Sequence, residues 1–196
     1  AMGVMEKLKS YRNADKYILW FVFVIMVAYP IISPIGLPLT IDPMTQEFYG
    51  IIEDLPPGSA VWMSNNVSPS MMAEQMPAFV AVMTHMFQLD LKIILFNVFD
   101  ANAIPVWEEF MLPELEKRGV VEEYGVDWAW LPYIPGGETA LAAMAADIRA
   151  TTKMDYYGTP IDELPVMEGL NNVEDFDLVC MFGYTSPFFP YIRQVV

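Results

Sequence analysis

The chain has 196 residues, 55% of them apolar, with a mean hydropathy of +0.33. Ten Lys and Arg stand against 25 Asp and Glu, a formal net charge of −15. That balance argues against nucleic acid as a partner, because phosphate recognition needs clustered cations, and against flat binding to anionic lipid.

The first element is an apolar run. From Tyr17 to Ile41 the chain reads YILWFVFVIMVAYPIISPIGLPLTI, with no charge between Lys16 and Asp42. About 20 apolar residues in a helix span a bilayer core. Residues 17–39 are therefore expected to form a transmembrane helix in contact with the lipid bilayer, with Trp20 and Tyr29 as interfacial anchors. Pro30, Pro34, Gly36 and Pro38 crowd its far end, so regular helix is expected to fray or kink near Tyr29. Residues 1–16 carry Lys7, Lys9, Arg12 and Lys16 against Glu6 and Asp15. The positive-inside rule keeps this segment cytoplasmic and sends the rest outside, to the periplasm or cell surface. A cleaved signal peptide is the alternative, but the run is long for an h-region and no small-x-small site comes after it. Without those six charged residues the chain has six basic against 23 acidic residues, a net charge near −17, consistent with a solvated acidic surface.

Residues 40–58 are expected to be a juxtamembrane helix and linker. Thr45 caps a helix from Gln46 to Asp54, with Phe48, Ile51, Ile52 and Leu55 as its apolar stripe. Pro56-Pro57-Gly58 ends it. Residues 59–196 form the extracytoplasmic domain. A first strand covers Ser59 to Ser64, and Ser68-Pro69 starts a helix through Phe87. LKIILFNVF is a second strand, apolar on both faces as in a covered parallel sheet. A helix from Ile104 to Arg118 comes next, with Pro105 early and Gly119 past its end. VDWAWLPY is the third strand, Glu138 to Thr151 the third helix, and FDLVCMFGY the fourth strand, reached through a loop rich in Pro, Gly, Asp and Asn. This alternation predicts an α/β, three-layer Rossmann-like domain with a mainly parallel sheet of about four strands. The segment SPFFPYIRQVV has no polar tail. The expectation is that a closing element comes from another subunit or from further chain.

In such sheets ligands sit outside the carboxyl ends of the strands. The candidates there are Asn65 and Asn66, Asp100 and Asn102, then Gly136, Gly137, Glu138 and Thr139, then Tyr184, Thr185 and Ser186. Polar residues at these places also cap helices. The GGET stretch is not a nucleotide fingerprint. It comes after the third strand, lacks G-x-G-x-x-G and the P-loop Lys, and puts Glu138 where phosphate would sit. The glycines read as a tight strand-to-helix turn. Met83, His85 and Met86 are a copper candidate by ligand chemistry, against a core reading of the Met-rich helix face. Cys180 has no partner for an internal disulfide and reads as a buried thiol. No G-x-S-x-G elbow is present, and His85 sits mid-helix rather than on a loop. No cofactor is expected, and an enzyme is not the favoured reading.

The stretches FYGIIEDLPPGSAVWMS and PGGETALAAMAADIRATTKMDYYGTPIDELPVMEGLNNVEDFDLV resemble an uncharacterised family of bacterial and archaeal proteins. The residues that carry the likeness most specifically are Pro135-Gly136-Gly137, Asp147-Ile148-Arg149, Asp155 to Pro160, and Met167-Glu168-Gly169. The resemblance covers most of residues 42 to 186. It implies an N-terminal membrane helix and one extracytoplasmic α/β domain, with a further strand and sometimes a second hydrophobic helix beyond it. It carries over no functional residues. The expected role is a membrane-anchored accessory subunit of a homo-oligomer or larger membrane complex. The alternative is a small-ligand or sensory domain that uses the strand-end crevice.

Overall fold

The computed structural model describes residues 4–33, 40–120, 122–183 and 188–195, with side chains in the first helix described from Lys16 onward. The chain divides into two compact units, residues 1–46 and 47–196.

In the first unit, helix α1 (Val4–Ile32) runs for 29 residues. Its described side chains from Tyr17 to Ile32 are apolar and almost all exposed. The helix does not fray at Tyr29. Proline removes one amide donor, yet the ladder resumes beyond Pro30, where the Ser33 N–H donates to the Tyr29 carbonyl at 2.9 Å. Among the described residues no helix is long and apolar enough to cross a membrane, and residues 34–39 of the expected span lie outside them.

Helix α2 (Pro43–Glu53) begins two residues before Thr45, because proline suits a first turn whose amides have no intrahelical partner. Phe48, Ile52 and Leu55 turn into the core as the stripe predicts, whereas Ile51 is exposed.

The second unit is an α/β fold on one parallel sheet in the order β3-β2-β1-β4. The strands are β1 (Ala60–Asn65), β2 (Lys92–Phe96), β3 (Trp128–Trp130) and β4 (Leu178–Phe182). Trp62 lies beside Ile94 on one side and Val179 on the other. Both faces of β1 are buried, which suits the apolar run Ala60–Met63, and its polar end at Ser64 and Asn65 is buried as well. Helix α3 (Met72–Gln88) covers one face together with a bent segment made of α4 (Ala103–Val106), a π turn (Trp107–Met111) and α5 (Leu112–Lys117). Helices α6 (Glu138–Ala146) and α7 (Ile148–Thr151) cover the other, joined by Tyr191 of α8 (Phe188–Gln194).

Two expected helices are broken. Pro113 has no N–H to return to the turn before it, and the chain answers with the wide turn that buries both Trp107 and Met111. Asp147 interrupts the third helix in extended conformation, because its carboxylate caps α7 by accepting from the Ala150 N–H at 2.8 Å. The long connection to β4 is compact and holds three short 3₁₀ turns.

Phe79 of α3 joins helix to sheet: it is fully buried, 6.1 Å from Trp107 and 5.0 Å from Phe182 in edge-to-face contacts. Phe79→Ala leaves a cavity at that junction and is expected to cost about 3–5 kcal/mol in urea unfolding followed by near-UV dichroism.

Candidate functional site

The strand order creates a topological switch point. From β1 the chain moves outward to β2 and β3, then crosses back to place β4 on the other side of β1. The crevice outside the carboxyl ends of β1 and β4 is where such sheets bind ligands. Asn65 and Asn66 at the end of β1 are both fully buried, as are Ser64 and Asn97.

Most of these polar groups are used locally. The Asn65 side-chain carbonyl accepts from the Val67 N–H at 3.0 Å. Asn97 donates to the Asn65 carbonyl at 2.7 Å and to the Asp100 carbonyl, and accepts from the amides of Phe99 and Asp100 at 2.9 and 2.8 Å. Asp100 accepts from the Asn102 backbone and side chain at 2.9 and 3.0 Å. Asp100 and Asn102 thus shape the β2 turn rather than reach into the crevice.

Gly137 sits at φ +56° and Gly136 at φ +133°. A Cβ on Gly137 would only touch the Phe99 ring at 3.6 Å, whereas one on Gly136 would crowd the Ala140 Cβ at 3.3 Å. The pair makes the tight turn into α6. Thr139 is exposed and donates its N–H to the Gly136 carbonyl. Glu138 accepts from Arg193 Nε and Nη2 at 2.9 and 2.6 Å and from Gln194 at 3.0 Å. Those hydrogen bonds, led by Arg193, hold its carboxyl down to about 2.

Helix α8 therefore closes this end of the sheet. Its Tyr191 is buried against Phe96 and Phe99, and its hydroxyl donates to Ser64 Oγ. Asn66 Nδ2 also donates to Ser64 Oγ, at 2.8 Å. Burial raises the Tyr191 phenol above its ordinary range, so it stays protonated. Beside it the backbone of β4 comes in close. The Asn66 N–H donates to the Phe182 carbonyl at 2.8 Å, and a Cβ on Gly183 would lie only 2.7 Å from the Asn66 Cβ. Gln75 of α3 reaches across and donates to the Gly183 carbonyl at 3.0 Å. Two buried acceptors there have no partner among the described residues: Asn66 Oδ1 and Gln75 Oε1. Tyr184, Thr185 and Ser186 lie outside the described residues.

Met83 and Met86 are fully buried in the core. His85 points elsewhere: it stacks on Tyr49 at 4.4 Å, and its Nε2 lies 2.8 Å from Glu53 Oε1, which also accepts from the Tyr49 hydroxyl at 2.6 Å. The helix thus separates the copper candidates, and His85 fastens α2 to α3. No cluster of three or more His, Cys, Asp or Glu suited to a metal occurs among the described residues. Burial pushes the Cys180 thiol up to about 12, which keeps it protonated and inert.

Comparison with family models, with curated proteins and with solved structures returns no match to this chain. Sequence reasoning places Asn65 and Asn66 at the crevice but misses Ser64, Gln75, Gly183 and Tyr191. Ser64 reads only as a strand end. Gln75 and Tyr191 arrive from helices 11 and 127 positions away from it, and no local pattern marks them.

Gly183→Ala is expected to force β4 away from Asn66 and to lower stability by about 1–3 kcal/mol in chemical denaturation. Glu138 has a folded value below its unfolded one, so its contribution is present above the ordinary carboxylate range and is lost as pH falls from about 4.5 towards about 2. Arg193→Met is expected to raise the Glu138 titration, read by carboxyl NMR, from about 2 towards its ordinary value of 4.5, with the Gln194 hydrogen bond still in place.

Proposed function

We propose that this chain is a membrane-anchored accessory subunit that presents an acidic α/β domain outside the cytoplasm and works through its surface, in a homo-oligomer or a larger membrane complex. The observation that carries this reading is helix α1. Its side chains from Tyr17 to Ile32 are apolar around the whole circumference and exposed. A helix apolar on all sides needs an apolar environment. The basic residues before it and the acidic excess after it support the cytoplasmic placement of the N-terminus. The internal use of Asn65, Asp100, Asn102 and Glu138 supports a domain that does not act through a wide strand-end cleft. Exposed aromatics, Tyr156 and Tyr157 in one loop and Phe188 and Phe189 on α8, supply surface for partners.

An alkaline carbonate wash of membranes from producing cells tests the anchor, and protease added to intact spheroplasts tests the orientation. The protein is expected to stay with the pellet and to lose its 47–196 unit to protease. Release into the wash overturns the anchor, and full protection overturns the orientation. Native mass spectrometry on the gently extracted protein is expected to show a fixed stoichiometry, and a bare monomer overturns the accessory role.

A second reading has its own observation. Asn66 Oδ1 and Gln75 Oε1, buried and without a partner among the described residues, support a small-ligand reading at the switch point.

A further inference from the structure

We infer that the outer edge of β4 pairs with the β4 edge of a second copy of this chain, antiparallel about Cys180, and so joins two sheets into one. The inference rests on the homo-oligomer reading and names the surface that makes it.

The two edges of the sheet are treated differently. At β3 the outward groups have partners. The Trp128 carbonyl accepts from the Gly125 N–H at 2.8 Å and the Trp130 carbonyl from the Tyr156 N–H at 2.8 Å. The Trp130 N–H donates to the Tyr124 hydroxyl at 3.4 Å. At β4 the parallel ladder turns alternate residues towards β1. The Phe182 carbonyl takes the Asn66 N–H, so Leu178, Cys180 and Phe182 face β1, and Val179 and Met181 face outward. Among the described residues no hydrogen bond reaches the outward backbone groups of Val179 and Met181. Even the tightest return of the chain, a two-residue turn just after Phe182, brings Phe188 opposite Val179, and Phe188 begins α8. The strand also lacks the devices that keep a bare edge from pairing. Leu178 to Phe182 carry no charge and no proline, and they run in unbroken register with β1.

Turned about a twofold axis at Cys180, this strand is complementary to itself. Val179 lies opposite Met181 of the second copy, and each such pair exchanges both of its backbone hydrogen bonds. Leu178 falls opposite Phe182 of the second copy, and Cys180 opposite its own counterpart, on the face that packs α3. Every cross-strand pair is apolar. The acidic residues before the strand, Glu174, Asp175 and Asp177, do not oppose one another. Asp177 comes opposite Gly183 of the second copy, and the two Asp177 residues stand about 20 Å apart along the ladder, beyond the roughly 8 Å screening length of physiological salt. Because the β3 edge is already covered, the contact uses the free edge of both copies and closes as a dimer instead of growing into a fibre.

The test is residue-resolved amide hydrogen exchange on the full chain in detergent, with native mass spectrometry of the same samples for stoichiometry. A dimer is expected. Its Val179 and Met181 amides should exchange at least about tenfold more slowly than in the monomer reached by dilution into excess detergent. The Cys180 amide, turned towards β1, should stay protected in both. Val179→Pro removes one outward N–H and sets a ring against the incoming strand, yet takes no bond from β1. It is expected to keep the near-UV dichroism of the fold and to weaken the dimer at least about tenfold. Should Val179→Pro not fold, Met181→Lys takes its place, since it puts a charge on the edge without touching the backbone. Edge amides that exchange freely in the dimer, or a dimer unchanged in the folded variant, overturn the edge pairing and leave the homo-oligomer reading to another surface. Edge amides protected in the monomer, or only in a complex with a different protein, overturn the second copy as the occupant. A monomer at every concentration, with freely exchanging edge amides, overturns the pairing and the homo-oligomer reading together.

Discussion

The carboxyl end of the sheet is governed by one close approach: β4 runs so near the end of β1 that Gly183 has no room for a side chain beside Asn66. A parallel pair leaves its strand ends with amides and carbonyls that need partners. Here the Asn66 amide takes the Phe182 carbonyl, and Gln75 takes that of Gly183. The side chains of Ser64, Asn66 and Tyr191 then close into a small buried cluster. Remove the approach and Tyr191 loses its seat, and with it the anchoring of α8 to the sheet. Glu138 would lose Arg193 in turn, because that ion pair joins α8 to α6.

The long connection between β3 and β4 depends on a different device. Arg149 uses its planar fork to hold four acceptors: Asp162 at 2.7 Å, Asn171 at 3.0 Å, the Met167 carbonyl at 3.1 Å and the Leu170 carbonyl. Asp155, almost fully buried, accepts from the Tyr124 hydroxyl at 2.6 Å and from the Thr159 N–H at 2.7 Å. These two clamps hold in place a segment with little regular structure. Arg149, Asp155, Thr159 and Met167, from the most distinctive stretches of the sequence, thus take part in holding this loop.

The four strands and the parallel alternation are legible in the sequence because apolar runs flanked by turn residues are a local signal. The ends of helices are less so, since Pro113 and Asp147 act through hydrogen bonds to residues on either side of them. Asn65 and Asn66 can be found because a strand end is a position in sequence. Gln75 and Tyr191 cannot, because on a helix a polar residue facing inward looks the same as one facing water until its partner is known. The bend at Trp107–Met111 likewise has no periodic mark: the apolar residues there fit a straight helix equally well.

Polar residues at this end of the domain divide into two roles by the same criterion of where their partners lie. Asp100 and Asn102 bond within a few positions of chain, as turn residues do, while Asn97 joins that turn to the Asn65 carbonyl of β1. Asn66 and Gln75 each spend their nitrogen on fixing the strand end, and their oxygens have no partner among the described residues. The two amides use their donors on Ser64 and Gly183, and so tie the ends of β1 and β4 to the helices on either face of the sheet.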